Sequence, residues 1–288
     1  MRRLPFVPAA VLAALVAGAM GCGSGGPHAR HAAPPSARST SSQARPARPA
    51  FQPLALPARF TPRTVRIPIL TYHRVHRYAT ELKKSQPDLT VEPESFRAQM
   101  QALHDGGYRT ITQRQLFDAL YRGAALPAKP VLVSVDDGYV DDVTEILPVL
   151  RRLGMTATFY VITGRLHEQG FVNPDQVRQL EAARMDIGAH TRTHVNLPAL
   201  PEAARRSEID GSAADLRGVL GHPVYWFAYP YGAFSPPVVD EVRRAGFLLA
   251  VTTKAGVTAS TAAPLEVPRI HVGRNATAAS VLSLVGGG

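Results

Sequence analysis

Two aspartates stand side by side in "SVDDGY" (Ser134 to Tyr139), straight after an apolar run and with a glycine next. Adjacent like charges repel, so the pair needs something that offsets the repulsion. Two histidines, His190 and His194, stand four residues apart in "GAHTRTH". If that segment makes a helical turn, the spacing lets both imidazoles converge. Two histidines and one carboxylate can hold a divalent metal and leave a position open for water. A cation would be the largest local charge at such a site, so binding one of the aspartates removes the repulsion. The other aspartate is then free to take a proton. Plainer readings exist for each signal. Asp-Asp-Gly after a strand can be a turn with a helix cap, and H-x-x-x-H can be two solvated or capping histidines.

These residues need a frame that brings them together. Short apolar runs alternate with helical patterns from Ile67 onward. Strands are predicted over 67–72, 108–112, 130–135, 156–162, 185–190, 224–230, 247–253 and 268–272. Helices are predicted over 93–105, 113–122, 140–153, 175–183, 202–220, 236–245 and 276–285. Pro93 suits a first helical turn, and Gly106 and Gly107 stop that helix. About eight strands with helices between most of them imply an α/β domain with a parallel sheet covered by helices. The length suits a distorted or incomplete (β/α) barrel, with a doubly wound open sheet as the runner-up. In such a barrel the active groups lie at the C-terminal ends of the strands. Asp136 and Asp137, His190, Tyr229 to Gly232, His271, and Tyr72 with His73 all fall there. No Gly-rich phosphate loop of either common type occurs, which argues against nucleotide binding.

Charge and composition bound the partners. The chain has 288 residues and a formal net charge of +10. Residues 1–66 carry nine arginines and no acid, so the rest of the chain is nearly neutral. The basicity belongs to a tail and not to a groove, which argues against a nucleic-acid partner. Arg2 and Arg3 precede an apolar stretch, Val7 to Ala19, that is short for a permanent membrane span. Small residues then lead to Cys22, the only cysteine. This pattern resembles a bacterial lipoprotein signal over residues 1–21, with Cys22 lipidated, and it predicts an extracytoplasmic protein anchored at the membrane. Ordinary secretion is the alternative. Residues 22–64, rich in Pro, Ala, Ser and Arg, are expected to form a disordered tether. The folded domain is then expected over 65–288.

Three motifs in order, "SVDDGY", "GAHTRTH" and "FAYPYG", resemble those of the polysaccharide deacetylases, the NodB-homology domain of carbohydrate esterase family four. "ILTYHRV" and "VPRIHV" extend the likeness from about Ile67 to Val272, and "TYHRV" with "FAYPYG" resembles the poly-N-acetylglucosamine deacetylase branch. The resemblance implies that Asp137, His190 and His194 hold a divalent metal, zinc by default, with cobalt, nickel or manganese also fitting. It further implies that Asp136 is the general base, that the Tyr231 backbone N–H meets the oxyanion, and that His271 is the general acid. Tyr229, Pro230 and His73 are expected to line the substrate side. The implied reaction removes acetyl groups from N-acetylglucosamine units of an extracellular or cell-wall polysaccharide. A non-catalytic sugar-binding lipoprotein and a small-amide hydrolase on the same fold are the alternatives. One departure bears on the base. Many members carry an arginine that orients it where this chain has Ala228.

Overall fold

The computed structural model describes residues 53–78 and 87–286. The expected signal segment, Cys22 and most of the expected tether lie outside the described residues. Among the described residues no helix is long and apolar enough to cross a membrane.

Seven parallel strands form the frame: β1 (Ile69–Tyr72), β2 (Pro130–Asp137), β3 (Thr158–Val161), β4 (Asp186–Ala189), β5 (Trp226–Ala228), β6 (Leu249–Ala255) and β7 (Val267–His271). Each pairs with the next, and β7 returns to β1 through Ile270 opposite Leu70 and His271 opposite Thr71. The sheet therefore closes into a ring, which excludes the open doubly wound sheet. The run predicted as a strand over 108–112 contributes only Arg109–Thr110, paired with the first residues of β2 outside the ring.

The apolar runs are strands because both of their faces are buried, as parallel strands require. Along β2 the residues alternate between two compartments. Leu132 joins Ile69, Tyr160, Trp226, Leu249, Val251 and Val267 in the barrel interior. Val131, Val133 and Val135 join the layer beneath the helices, with Phe96, Met100 and Leu150. Full burial of one such side chain contributes about 1.5–3 kcal/mol. Gly188 in β4 shows how tight the interior is. A Cβ there would stand 2.5 Å from the Tyr160 ring and 2.9 Å from the Trp226 carbonyl oxygen, so Gly188→Ala would break this packing.

Helices join the strands as their end signals dictate. Thr112 and Gln115 form a reciprocal cap for the helix Gln113–Arg122, and Asn173 and Gln176 do so for Pro174–Ala182. The helix predicted over 140–153 is in fact two pieces, a π-helical turn Asp142–Ile146 and an α-helix Leu147–Arg152. Pro148 has no N–H to donate, and the Leu147 N–H reaches back five residues to Asp142 O.

The chain reaches the barrel through the strand Thr64–Arg66, which pairs antiparallel with Thr258–Ser260 and runs straight into the start of β1. Residues 54–63, counted with the tether in the sequence, already lie against the domain. The Leu54 N–H donates to Tyr225 Oη at 3.0 Å, and the Phe60 ring meets Tyr121 edge-on at 4.9 Å. Leu54 and Phe60 supply apolar contacts that an averaged Pro/Ala/Arg composition conceals.

Candidate active site

Asp137 ends β2 in a left-handed conformation (φ 80°), and Gly138 follows it at φ 77°. This double reversal turns the Asp137 carboxylate across the rim. His190 follows β4 directly. Burial holds its imidazole down at about 4, so it is neutral near pH 7. Its Nδ1 lies 2.8 Å from the Ala228 carbonyl oxygen. A carbonyl only accepts, so Nδ1 carries the proton and Nε2 keeps its lone pair. His194 is likewise held at about 4, by burial first and then by His190. The two rings do not meet through the helical turn their spacing suggested. A loop with left-handed Thr191 (φ 61°) and His194 (φ 57°) brings them together.

The three side chains converge. His190 Nε2 lies 3.5 Å and His194 Nε2 3.6 Å from Asp137 Oδ1. One ligand atom from each side chain falls within 4.8 Å of the others. Asp137 Oδ1 is buried without a hydrogen-bond partner. Burial and the charge of Asp136 push the Asp137 carboxyl up to about 7. The lone pair of His190, the neutral ring of His194 and a carboxylate oxygen without a hydrogen-bond partner thus face one another. Such a donor set is unfavourable alone and suits a divalent cation.

Asp136 has the opposite surroundings. It shares the inward phase of Leu132 and Ser134, so its carboxylate points into the barrel. There Arg269 of β7 meets it with two parallel bonds, Nη1 to Oδ1 at 2.8 Å and Nη2 to Oδ2 at 2.7 Å. Arg269 also donates to Ser134 Oγ and to the Thr252 carbonyl oxygen. Both partners are buried. Burial alone would raise the Asp136 pKa. The Arg269 charge and its bonds outweigh that and hold the carboxyl well below the usual carboxylate range.

Sequence reasoning missed Arg269. The guanidinium absent at position 228 comes from a different strand. A signal was present: in "VPRIH" the alternation of a strand puts Val267, Arg269 and His271 on one face, and an arginine facing a barrel interior needs an acid.

The remaining expected residues divide. His73, in phase with Ile69 and Thr71, enters the site, and its Nε2 lies 4.0 Å from Asp136 Oδ2. Burial lowers His73 to about 4 even though Asp136 pulls it up. His271, expected as the proton donor, is exposed at the rim, where its Nε2 lies 3.1 Å from the Asp88 carbonyl oxygen. Its ring centroid is 6.0 Å from that of His73. Tyr231 is left-handed (φ 59°, ψ 8°) and exposed, and its ring lies edge-on to His194 at 4.6 Å.

Tyr229 and Pro230, expected on the substrate side, are both buried. Tyr229 is 1% exposed. It follows Phe227 in phase, so its ring packs outward among Phe227 and Phe234. Pro230 is buried. A rim feature with no sequence signal is the stack Arg74, Tyr139, Phe171, Arg165, with successive separations of 4.4, 4.8 and 4.8 Å.

Residues 123–250 match the family model described as polysaccharide deacetylase. That stretch is similar to a polysaccharide deacetylase domain. A putative polysaccharide deacetylase of Bacillus subtilis (strain 168) is 26% identical over 212 residues, covering 74% of this chain and 73% of that protein. A poly-β-1,6-N-acetyl-D-glucosamine N-deacetylase of Staphylococcus aureus (strain MRSA252) is 22% identical over 231 residues, covering 72% and 79%. The solved structure of the Streptococcus pyogenes deacetylase PplD in complex with acetate is 27% identical and superposes with a TM-score of 0.72, over 78% of this chain and 99% of that one. The domain shares its (β/α)7 barrel with that solved structure. Its rim carries the convergent Asp137, His190 and His194 beside the Asp136–Arg269 pair.

Proposed function

We propose that this domain is a metal-dependent N-deacetylase of N-acetylglucosamine polymers. One observation carries the reading: an acid already paired to an arginine, Asp136, stands next to an unpaired acid, Asp137, that faces two neutral imidazoles. Asp137, His190 and His194 would hold the cation. When bound there, a divalent metal polarises an acetyl carbonyl and makes water more acidic.

The chain's own groups would do the rest. Asp136, fixed by Arg269, takes a proton as water attacks the acetyl carbon. The backbone N–H of Tyr231 donates to the oxyanion, a contact worth about 3 kcal/mol in such sites. The proton must then reach the departing amine. His73 is better sited for this than His271, because its Nε2 is 4.0 Å from Asp136. Neutral at rest, His73 can accept the proton from Asp136 and pass it to the sugar nitrogen. Acetate leaves, and a free glucosamine unit remains. Arg269 supplies the guanidinium whose absence at position 228 favoured, together with the missing Asp-and-Trp motif after "AVTT", a non-catalytic sugar-binding reading.

The substrate named for the Staphylococcus aureus relative supports a β-1,6-linked polymer as the first candidate. The signal-like residues 1–21 and Cys22 support an extracytoplasmic, lipid-anchored address. Incorporation of labelled palmitate, lost in Cys22→Ser, is the expected sign of the lipid. The activity is tested by acetate release from acetylated β-1,6-linked, chitin-like and peptidoglycan chains, with and without chelator. Release that a chelator stops and added zinc, cobalt, nickel or manganese restores is expected. The reading fails if none of these polymers yields acetate with any of the four metals.

A further inference from the structure

The helix Glu202–Leu220 contains a glycine, Gly211, in its interior. Glycine there weakens a helix relative to alanine, so the position asks for a reason. A Cβ on Gly211 would stand 2.5 Å from Arg192 Nε and 2.8 Å from Arg192 Cδ and Cζ. Arg192 belongs to the loop between the two histidines. Its guanidinium lies across the helix at the gap and makes two bonds to Asp215, Nε to Oδ2 at 2.9 Å and Nη2 to Oδ1 at 2.8 Å. Asp215 Oδ2 also accepts from the Thr163 hydroxyl at 2.7 Å.

One turn earlier on the same helix, Glu208 accepts three bonds from the loop. Its Oε2 takes the backbone N–H of Arg192 at 2.9 Å and of Thr193 at 2.8 Å, and its Oε1 takes the Thr193 hydroxyl at 2.7 Å. From the other side, the Thr163 and Gly164 N–H groups donate to the carbonyls of Thr191 and Arg192. Glu208, Gly211 and Asp215 are spaced to share one helix face. The loop they grip is bounded by left-handed Thr191 and His194, conformations that non-glycine residues keep only when their surroundings enforce them.

We propose that the Glu208–Gly211–Asp215 face is a clamp that holds the loop 191–193 in the turn that carries His194 onto Asp137. These are positioning residues. The inference rests on reading Asp137, His190 and His194 as metal ligands.

Zinc affinity of the full chain, measured by competition with a chromophoric chelator, tests the clamp. Cobalt absorption spectra and urea unfolding of the metal-free protein accompany it. Glu208→Gln removes the negative charge and one of the two acceptor oxygens that receive these three bonds. It is expected to weaken zinc binding about 10- to 100-fold and to alter the cobalt spectrum. Gly211→Ala is expected to weaken zinc binding while leaving metal-free stability equal or higher, because alanine favours the helix. A purely structural role would move both the same way. In the Arg192→Ala background, Gly211→Ala is expected to cost no further affinity, since nothing remains to collide with. Parent-like zinc affinity and cobalt spectra in Glu208→Gln and Gly211→Ala would overturn the clamp and leave the metal site standing. A parent protein that takes up no zinc would overturn both.

Discussion

The two halves of the site use the same residue type to opposite effect. Asp136 looks inward, where Arg269 supplies two bonds and a full counter-charge. Asp137, one residue on, looks across the rim, where it faces two neutral imidazoles and its Oδ1 has no hydrogen-bond partner. The difference arises from one peptide. Strand alternation sends the first carboxylate into the barrel, and the left-handed φ of the second swings it out to the two histidines. Neighbouring acids can therefore be kept at opposite ends of the carboxylate range, one well below it and one at about 7, by what each is made to face. The inner half is electrically complete. The outer half is completed only by something that binds.

That contrast can be broken in several ways. The largest effect is expected from Asp136→Asn, which should cost about 10²- to 10⁴-fold in acetate release with zinc content unchanged by elemental analysis. Asp137→Asn should lose the zinc as well. Loss of metal in both would erase the division between the halves.

Arg269→Met strips the counter-charge from a buried carboxylate. Unfolding in urea at pH 7 should become easier by about 3–5 kcal/mol. In the parent, Asp136 has a depressed folded pKa, so its stabilisation is present above the unfolded value and lost as pH falls through the folded one. In the variant the carboxyl is better tolerated protonated. The gap between the two proteins should accordingly narrow toward low pH.

The outer half has the opposite sign. In metal-free protein the folded pKa of Asp137, about 7, lies above its unfolded value. The resulting penalty grows as pH rises from about 4 and is complete above about 7. Metal-free Asp137→Asn should then be more stable than its parent above pH 7, by on the order of 4 kcal/mol, and the order should reverse with zinc present. A variant less stable than the metal-free parent at every pH would contradict the unpaired state of Asp137.

The smallest contrast concerns His73, proposed to carry the proton, and His271, left at the rim. His73→Ala should lower turnover about 100-fold, and His271→Ala no more than about threefold, since its ring nitrogen is occupied by Asp88 at the rim. Equal losses would return His271 to the proton path.

What the sequence carried, and what it concealed, follow from the range of each interaction. The strands were legible because parallel strands buried on both faces read as continuous apolar runs, and "PVLVSV" is such a run. The positions of Asp136, His190 and His73 followed from lying at strand ends. Arg269 was hidden because its partner is 133 residues away in the chain, and only the closed ring brings β7 to face β2. Tyr229 was misplaced because a tyrosine in a polar-looking motif says nothing of its phase until the strand's last inward residue, Ala228, is fixed. The route from His190 to His194 was hidden for a related reason. Four residues of loop cover the same gap when Thr191 and His194 adopt positive φ, and that choice depends on the helix beneath the loop.

One feature of the frame bears on how a long chain of sugars would be met. The polypeptide joins the barrel at the foot of β1, through Thr64–Arg66, whereas Asp137, His190 and His194 crown the strands' far ends. Whatever restrains the protein by its leading segment therefore pulls on the floor of the barrel, the end opposite the convergent side chains. On the proposed function, a polymer would meet the domain at the end opposite its leading segment.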